Sequence, residues 1–188
     1  MKSALGWRFA AICTGVALTI WLDTWSTWIA GHGDLSTEIN PIFRGRNFSF
    51  MVAATWVEMI VFQILLTSGW YWRRHLYPPF CTSFGGFCRD CLVGRRFIWK
   101  GHRLETVALR KLAVFTLLMV PFCFAFQHVE AAVSNIALSL GIRVGPISAM
   151  ADVSERMVSS LFGGAVMMII LYKDRIALLR CTEAETAN

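Results

Sequence analysis

The sequence predicts an all-α membrane protein: a four-helix transmembrane bundle, one integral membrane domain over residues 1–188, with the N-terminus and C-terminus both cytoplasmic. Three observations carry this reading. Of 188 residues, 56% are hydrophobic and 16% charged, with a mean hydropathy of +0.53 and eight tryptophans, which excludes a disordered chain and an ordinary water-soluble domain. The apolar residues collect in four long runs and do not scatter with amphipathic periodicity. The basic residues are sorted to one side of those runs.

The spans are expected at about 9–30, 48–70, 112–140 and 153–172. In lipid every backbone N–H and C=O needs a partner within its own segment, so unbroken apolar stretches are read as helices. The runs lack the period-two alternation of a transmembrane β-barrel. The first span follows Lys2 and Arg8; a signal peptide is the competing account, but the apolar stretch continues to Trp28 and ends without a small-residue cleavage pattern. Trp25 and Trp28 at one end of it, with Trp70, Tyr71, Trp72 and Tyr172 at the opposite membrane face, form an aromatic belt. Trp21, Trp25 and Trp28 share a helix face, read as packing or lipid contact. The fourth span opens with an expected capping box, Asp152-x-x-Glu155, and carries Ser159, Ser160, Gly163 and Gly164, a small-xxx-small pattern that permits close helix approach within the chain or between protomers.

Fourteen of the 18 Lys and Arg residues lie at the N-terminus, in the loop 71–111, or after the fourth span; Arg44, Arg46, Arg143 and Arg156 fall on the other side. The positive-inside rule therefore puts both termini and that loop in the cytoplasm, and the setting expected is a bacterial inner membrane. The formal charge of +6 is accounted for by topology and by anionic headgroups at the loop, without nucleic acid. Phosphate-cradling loops, a GxSxG elbow and dinucleotide fingerprints are absent from the sequence.

Ionisable residues inside the spans are the candidates for function, because a charge at the bilayer centre costs about 2.5 kcal/mol or more on insertion scales. They are Asp23, Glu58, His128 and Glu130, all at similar depth toward the outer face. On the third span Gln127, His128, Glu130, Ser134 and Asn135 fall within an arc of about 160° at 100° per residue. Thr27 lies one turn from Asp23, and a short polar connection follows, from His32 through Glu38 and Asn40 to Pro41. The expected polar cluster is thus Asp23, Thr27, Glu38, Asn40, Glu58, His128, Glu130 and Asn135.

Asp23, Thr27, Gly31 and the tetrad Glu38-Ile39-Asn40-Pro41 resemble the D…T…G…E-x-N-P signature of a group of small bacterial and archaeal multi-pass membrane proteins of unknown function. The likeness covers residues 23–41 and does not extend to the Cys-containing loop. It implies that Asp23, Glu38 and Asn40 form one site, and it brings no activity.

Two chemical uses suit the cluster. Carboxylates with nitrogen from His128 or His32 can hold a divalent metal and activate water, as in an intramembrane metal-dependent hydrolase acting on a lipid or lipid-linked substrate. The same groups can relay protons or an ion, making the chain an accessory subunit or a small ion- or solute-handling module, alone, as a homo-oligomer or in a larger membrane complex. A purely structural role, with polar side chains fixing helix packing, is the third reading. Two facing buried histidines, as haem would require, are not evident. In the loop, Cys81, Cys88 and Cys91 with Cys181, or with His75 or His102, are a possible zinc set on the reducing side; free thiols are the alternative. Pro78-Pro79 and Gly85-Gly86 argue against a folded soluble domain there, and the basic, apolar remainder suits an interfacial segment.

Overall fold

The structure is a computed structural model, and it describes residues 2–34, 36, 43–77, 83–92, 106–142 and 149–186. Among them every regular element is a helix: α1 (Lys2–Ala30), α2 (Phe48–Trp72) continued by a 3-10 turn (Arg73–Leu76), α3 (Phe84–Leu92), α4 (Thr106–Ser139) and α5 (Ala149–Thr186). Three stretches are long and apolar enough to cross a membrane: Gly6–Ala30, Phe48–Leu76 and Arg110–Ser139. The fourth expected span lies inside the 38-residue α5.

Local chemistry explains where the helices stop. Asn47 caps α2, its side-chain oxygen accepting the Phe50 N–H at 2.9 Å. Helices α1 and α4 both end in a Schellman motif. After α1, the Gly33 N–H bonds Trp28 O at 3.1 Å and the His32 N–H bonds Ile29 O at 3.0 Å, which puts His32 at φ +49°. After α4 the left-handed position is Gly141, with φ +75°. Pro121 stands inside α4, where its missing N–H interrupts the hydrogen-bond ladder in mid-span.

Helix α4 is the hub. Helices α1, α2 and α4 each pack on the other two, and α5 lies along α4. Ile20, Leu66, Leu118, Met167 and Leu171 fill the centre and are essentially fully buried. Two glycines let backbones close in. A Cβ at Gly163 would stand 2.6 Å from the Phe122 carbonyl oxygen, and one at Gly69 would stand 2.7 Å from Leu118 Cγ. The small-residue stripe of α5 therefore meets α4 within the chain. The outward faces carry Leu18, Leu22, Ile60, Ile64, Val133, Ile136, Leu161 and Phe162, all exposed, an apolar coat that water would not tolerate and that lipid suits.

One expectation is corrected. Helix α5 starts at Ala149, so Asp152 lies inside it and not ahead of it as a cap. Helix α4 begins at Thr106, and its apolar, membrane-length part is Arg110–Ser139, beside the expected 112–140. The loop 71–111 holds the helix α3, and Gly85-Gly86 sit within it. Burial overrides the glycines there: Phe87 is fully buried, 6.2 Å from the ring of Tyr77 and 5.6 Å from that of Tyr172.

Candidate functional site

Helices α1, α2 and α4 bring Asp23, Glu58 and His128 together. His128 Nδ1 lies 2.7 Å from Asp23 Oδ2, and His128 Nε2 lies 3.0 Å from Glu58 Oε1. One imidazole thus ties two helices to a third, with a carboxylate on each of its edges. At 1.5 Å per residue, Asp23, Glu58 and His128 lie about 11, 15 and 17 Å along their helices from the end of the bundle near His32 and Asn47. Their side chains are 20%, 32% and 16% exposed, so Glu58 is the open side of the group.

The chain of contacts continues toward that end. Asn135 Nδ2 donates to Thr27 Oγ1 at 2.9 Å and reaches Ser26 Oγ at 3.3 Å. Thr27 Oγ1 is 3.5 Å from Asp23 Oδ1, at the limit of a hydrogen bond. Behind the triad, the buried hydroxyls of Thr24 and Thr55 pair at 2.7 Å between α1 and α2. At the rim, exposed Asp34 accepts the Ser36 N–H and hydroxyl, each at 2.8 Å, and these bonds hold its carboxyl below the usual carboxylate range.

Glu130 does not join the triad. It hydrogen-bonds Ser159 of α5, and its neighbour Gln127 donates to Ser160 Oγ at 2.7 Å. The polar arc of α4 therefore serves two seams: His128 and Asn135 at one edge face α1 and α2, while Glu130 and Gln127 face α5. The apolar side of the helix, with Val129, Val133 and Ile136, is exposed.

Glu38 and Asn40 lie outside the described residues, as do Cys81, His102 and the side chain of Cys181. His32 is exposed at its helix end. Of the possible zinc set, Cys88 and Cys91 stand on α3, Cys91 Sγ donating to Leu76 O at 3.4 Å; His75 stacks on Trp72. Among the described residues no group of three or more His, Cys, Asp or Glu is placed to hold a metal ion. In the triad itself both ring nitrogens are engaged by carboxylates on opposite edges, so one cation does not meet both acids and a nitrogen while those bonds stand. The tryptophan face of α1 packs on α2, Trp21 against Trp56 at 5.8 Å and Trp28 against Phe48 at 4.6 Å.

A second polar centre, at the opposite end, was not foreseen from the sequence. Arg73 Nε donates to Asp174 Oδ2 at 2.8 Å and its Nη1 to Trp70 O at 2.6 Å, while the guanidinium lies 4.1 Å from the Trp70 ring centroid. Tyr77 donates its hydroxyl to the same Asp174 oxygen. Burial, and then the Asp174 carboxylate, push the Tyr77 phenol well above its ordinary value. No protein-family profile, curated protein or solved structure matches this chain.

Proposed function

We propose that this chain is a multi-pass protein of the bacterial inner membrane, with α5 as its fourth crossing and both termini cytoplasmic. In this reading it is a small ion- or solute-handling module, or the accessory subunit of a larger membrane complex that uses one. The observation that carries the proposal is the bridging of Asp23 and Glu58 by His128 at membrane depth, open on the Glu58 side. Two acids on one imidazole form a group that takes up and releases a proton without charge moving far, and intramembrane acids commonly serve such relays. The sorting of Lys and Arg supports an outward-facing triad.

Substituted-cysteine labelling tests the outward opening. In a chain whose native cysteines are replaced, a membrane-impermeant thiol reagent added from outside should label Glu58→Cys and spare Val57→Cys and Val61→Cys on the lipid-facing side of α2. Failure to label position 58 would leave the triad with a packing role. Proteoliposome proton flux then separates a self-sufficient module, whose flux is lost in His128→Ala, from an accessory subunit with no flux of its own.

A packing role has its own support, in the Asn135–Thr27 and Thr24–Thr55 bonds that bind the same helices. The metal-dependent hydrolase has less, since carboxylates engage both ring nitrogens of His128 and Glu130 bonds Ser159. Metal analysis of wild type beside Asp23→Asn and His128→Ala tests it; equal metal content in all three would end that reading.

A further inference from the structure

Away from the triad, where the second polar centre lies, α1, α2 and α5 line an open cavity of about 230 Å³. Its wall includes Arg8 and Ile12 of α1, Trp70 of α2, and Ile170, Lys173 and Asp174 of α5. Asp174 is 3% exposed. Its Oδ2 accepts from Arg73 and Tyr77, whereas its Oδ1 is buried with no hydrogen-bond partner. Native folds rarely leave a buried carboxylate oxygen without a donor, and such an atom calls for an explanation. Arg73 is already committed to Asp174 Oδ2 and Trp70 O. Among the described residues, neither Arg8 nor Lys173 is paired with a carboxylate.

One cavity thus combines a carboxylate with one oxygen lacking a donor, two exposed cations lacking an anion, and a wall of Ile12, Trp70 and Ile170. It lies beside Arg8, Arg73 and Lys173, cations that suit a headgroup region. The complementary ligand is a zwitterion with an apolar tail and N–H donors on its cation. We propose that this cavity binds the headgroup of an ethanolamine phospholipid, with its phosphate on Arg8 and Lys173, its ammonium on Asp174, and an acyl chain between α1 and α5. An anionic glycerol headgroup brings no cation to Asp174 and adds negative charge beside it. A choline headgroup carries a cation without N–H.

The experiment is a titration of delipidated full-length protein with ethanolamine, choline and glycerol phospholipids of identical acyl chains, bound lipid being counted by native mass spectrometry. The ethanolamine lipid should bind about tenfold more tightly than the choline lipid, the worth of one charge-assisted hydrogen bond, and more tightly than the glycerol lipid. Arg8→Ala with Lys173→Ala should weaken all three while leaving the ethanolamine preference in place. Asp174→Asn should abolish that preference. Circular dichroism checks that each variant is folded, and the ratio in unaltered protein decides the matter if Asp174→Asn is not. Equal binding of ethanolamine and choline lipids, or a preference for the glycerol lipid, would overturn the proposal.

Discussion

Removing His128 alone should damage the fold more than removing the whole triad. In the wild type the ring satisfies one oxygen of Asp23 and one of Glu58, at 2.7 and 3.0 Å. His128→Ala deletes both hydrogen bonds and leaves two acids at membrane depth. Interhelical hydrogen bonds in bilayers are worth about 0.6 kcal/mol on average and about 1.7 at most, so two account for roughly 1 to 3 kcal/mol. Orphaning a fully buried charge costs about 3–5 kcal/mol, but these side chains are 16–32% exposed, which discounts that figure; a loss of about 2–3 kcal/mol is expected. Replacing all three by leucine leaves nothing orphaned and should return stability to within about 1 kcal/mol of wild type. Steric trapping in bicelles measures both variants. A His128→Ala protein within about 0.5 kcal/mol of wild type, or a triple variant less stable than the single one, would refute the reasoning.

Gly163→Val should cost about 1–3 kcal/mol, because the new side chain meets the Phe122 carbonyl; Gly164→Ala, with nothing nearer than 3.9 Å, should be tolerated, and thermal melts in detergent compare the two. Arg73→Ala leaves Asp174 buried without its cation and should cost about 3–5 kcal/mol in the same assay. Burial and Asp174 keep Tyr77 protonated beyond its ordinary range, so its folded pKa lies above the unfolded value. Its contribution is therefore complete below about pH 10 and falls as pH rises further, by up to about 1.4 kcal/mol per pH unit. Tyr77→Phe should flatten that alkaline slope in pH-dependent unfolding. His32→Gly, relieving a left-handed histidine at φ +49°, should raise stability by about 0.5–1 kcal/mol, and an unchanged melt would argue against strain there.

How much of this is legible in the sequence depends on the physics behind each feature. Lipid demands long, internally bonded apolar helices, so the three spans that meet that demand are readable as composition. Depth along a helix is a simple count of residues, and it makes Asp23, Glu58 and His128 candidates for contact. Which neighbour an arc faces is not a count. Glu130 and His128 share one polar arc of α4, yet they bond α5 and α1/α2 respectively, because the arc is wide enough to touch both sides. Asp174 is hidden for another reason: it stands between Lys173 and Arg175, where a local reading pairs it with its neighbours, and its partner Arg73 is 101 residues away. Helix α3 was obscured by Gly85-Gly86, whose low helix propensity is outweighed once Phe87 is buried.

The choice of side chain at the triad bears on whether it is adhesive. Where this chain links helices with a long polar side chain elsewhere, it often uses amides: Gln63 bonds Cys13 O at 2.9 Å, Gln127 bonds Ser160, and Asn135 bonds Thr27. An amide carries its own donor and acceptor and has no charge to desolvate. Glu58 and Asp23 each place one oxygen in a hydrogen bond with a ring nitrogen, and the amide of glutamine or asparagine can make the same bond. By insertion scales an acid in the span costs about 2.5–3.5 kcal/mol, several times the ~0.6 kcal/mol an average interhelical hydrogen bond returns. Adhesion alone therefore does not account for acids at these positions. The exposure gradient points the same way: adhesive groups gain by being covered, and Glu58, about 15 Å along its helix, is the most open member of the triad at 32%. A carboxylate open at that depth is what proton or cation exchange requires. The same reasoning extends to Glu130, the acid on the α5 seam.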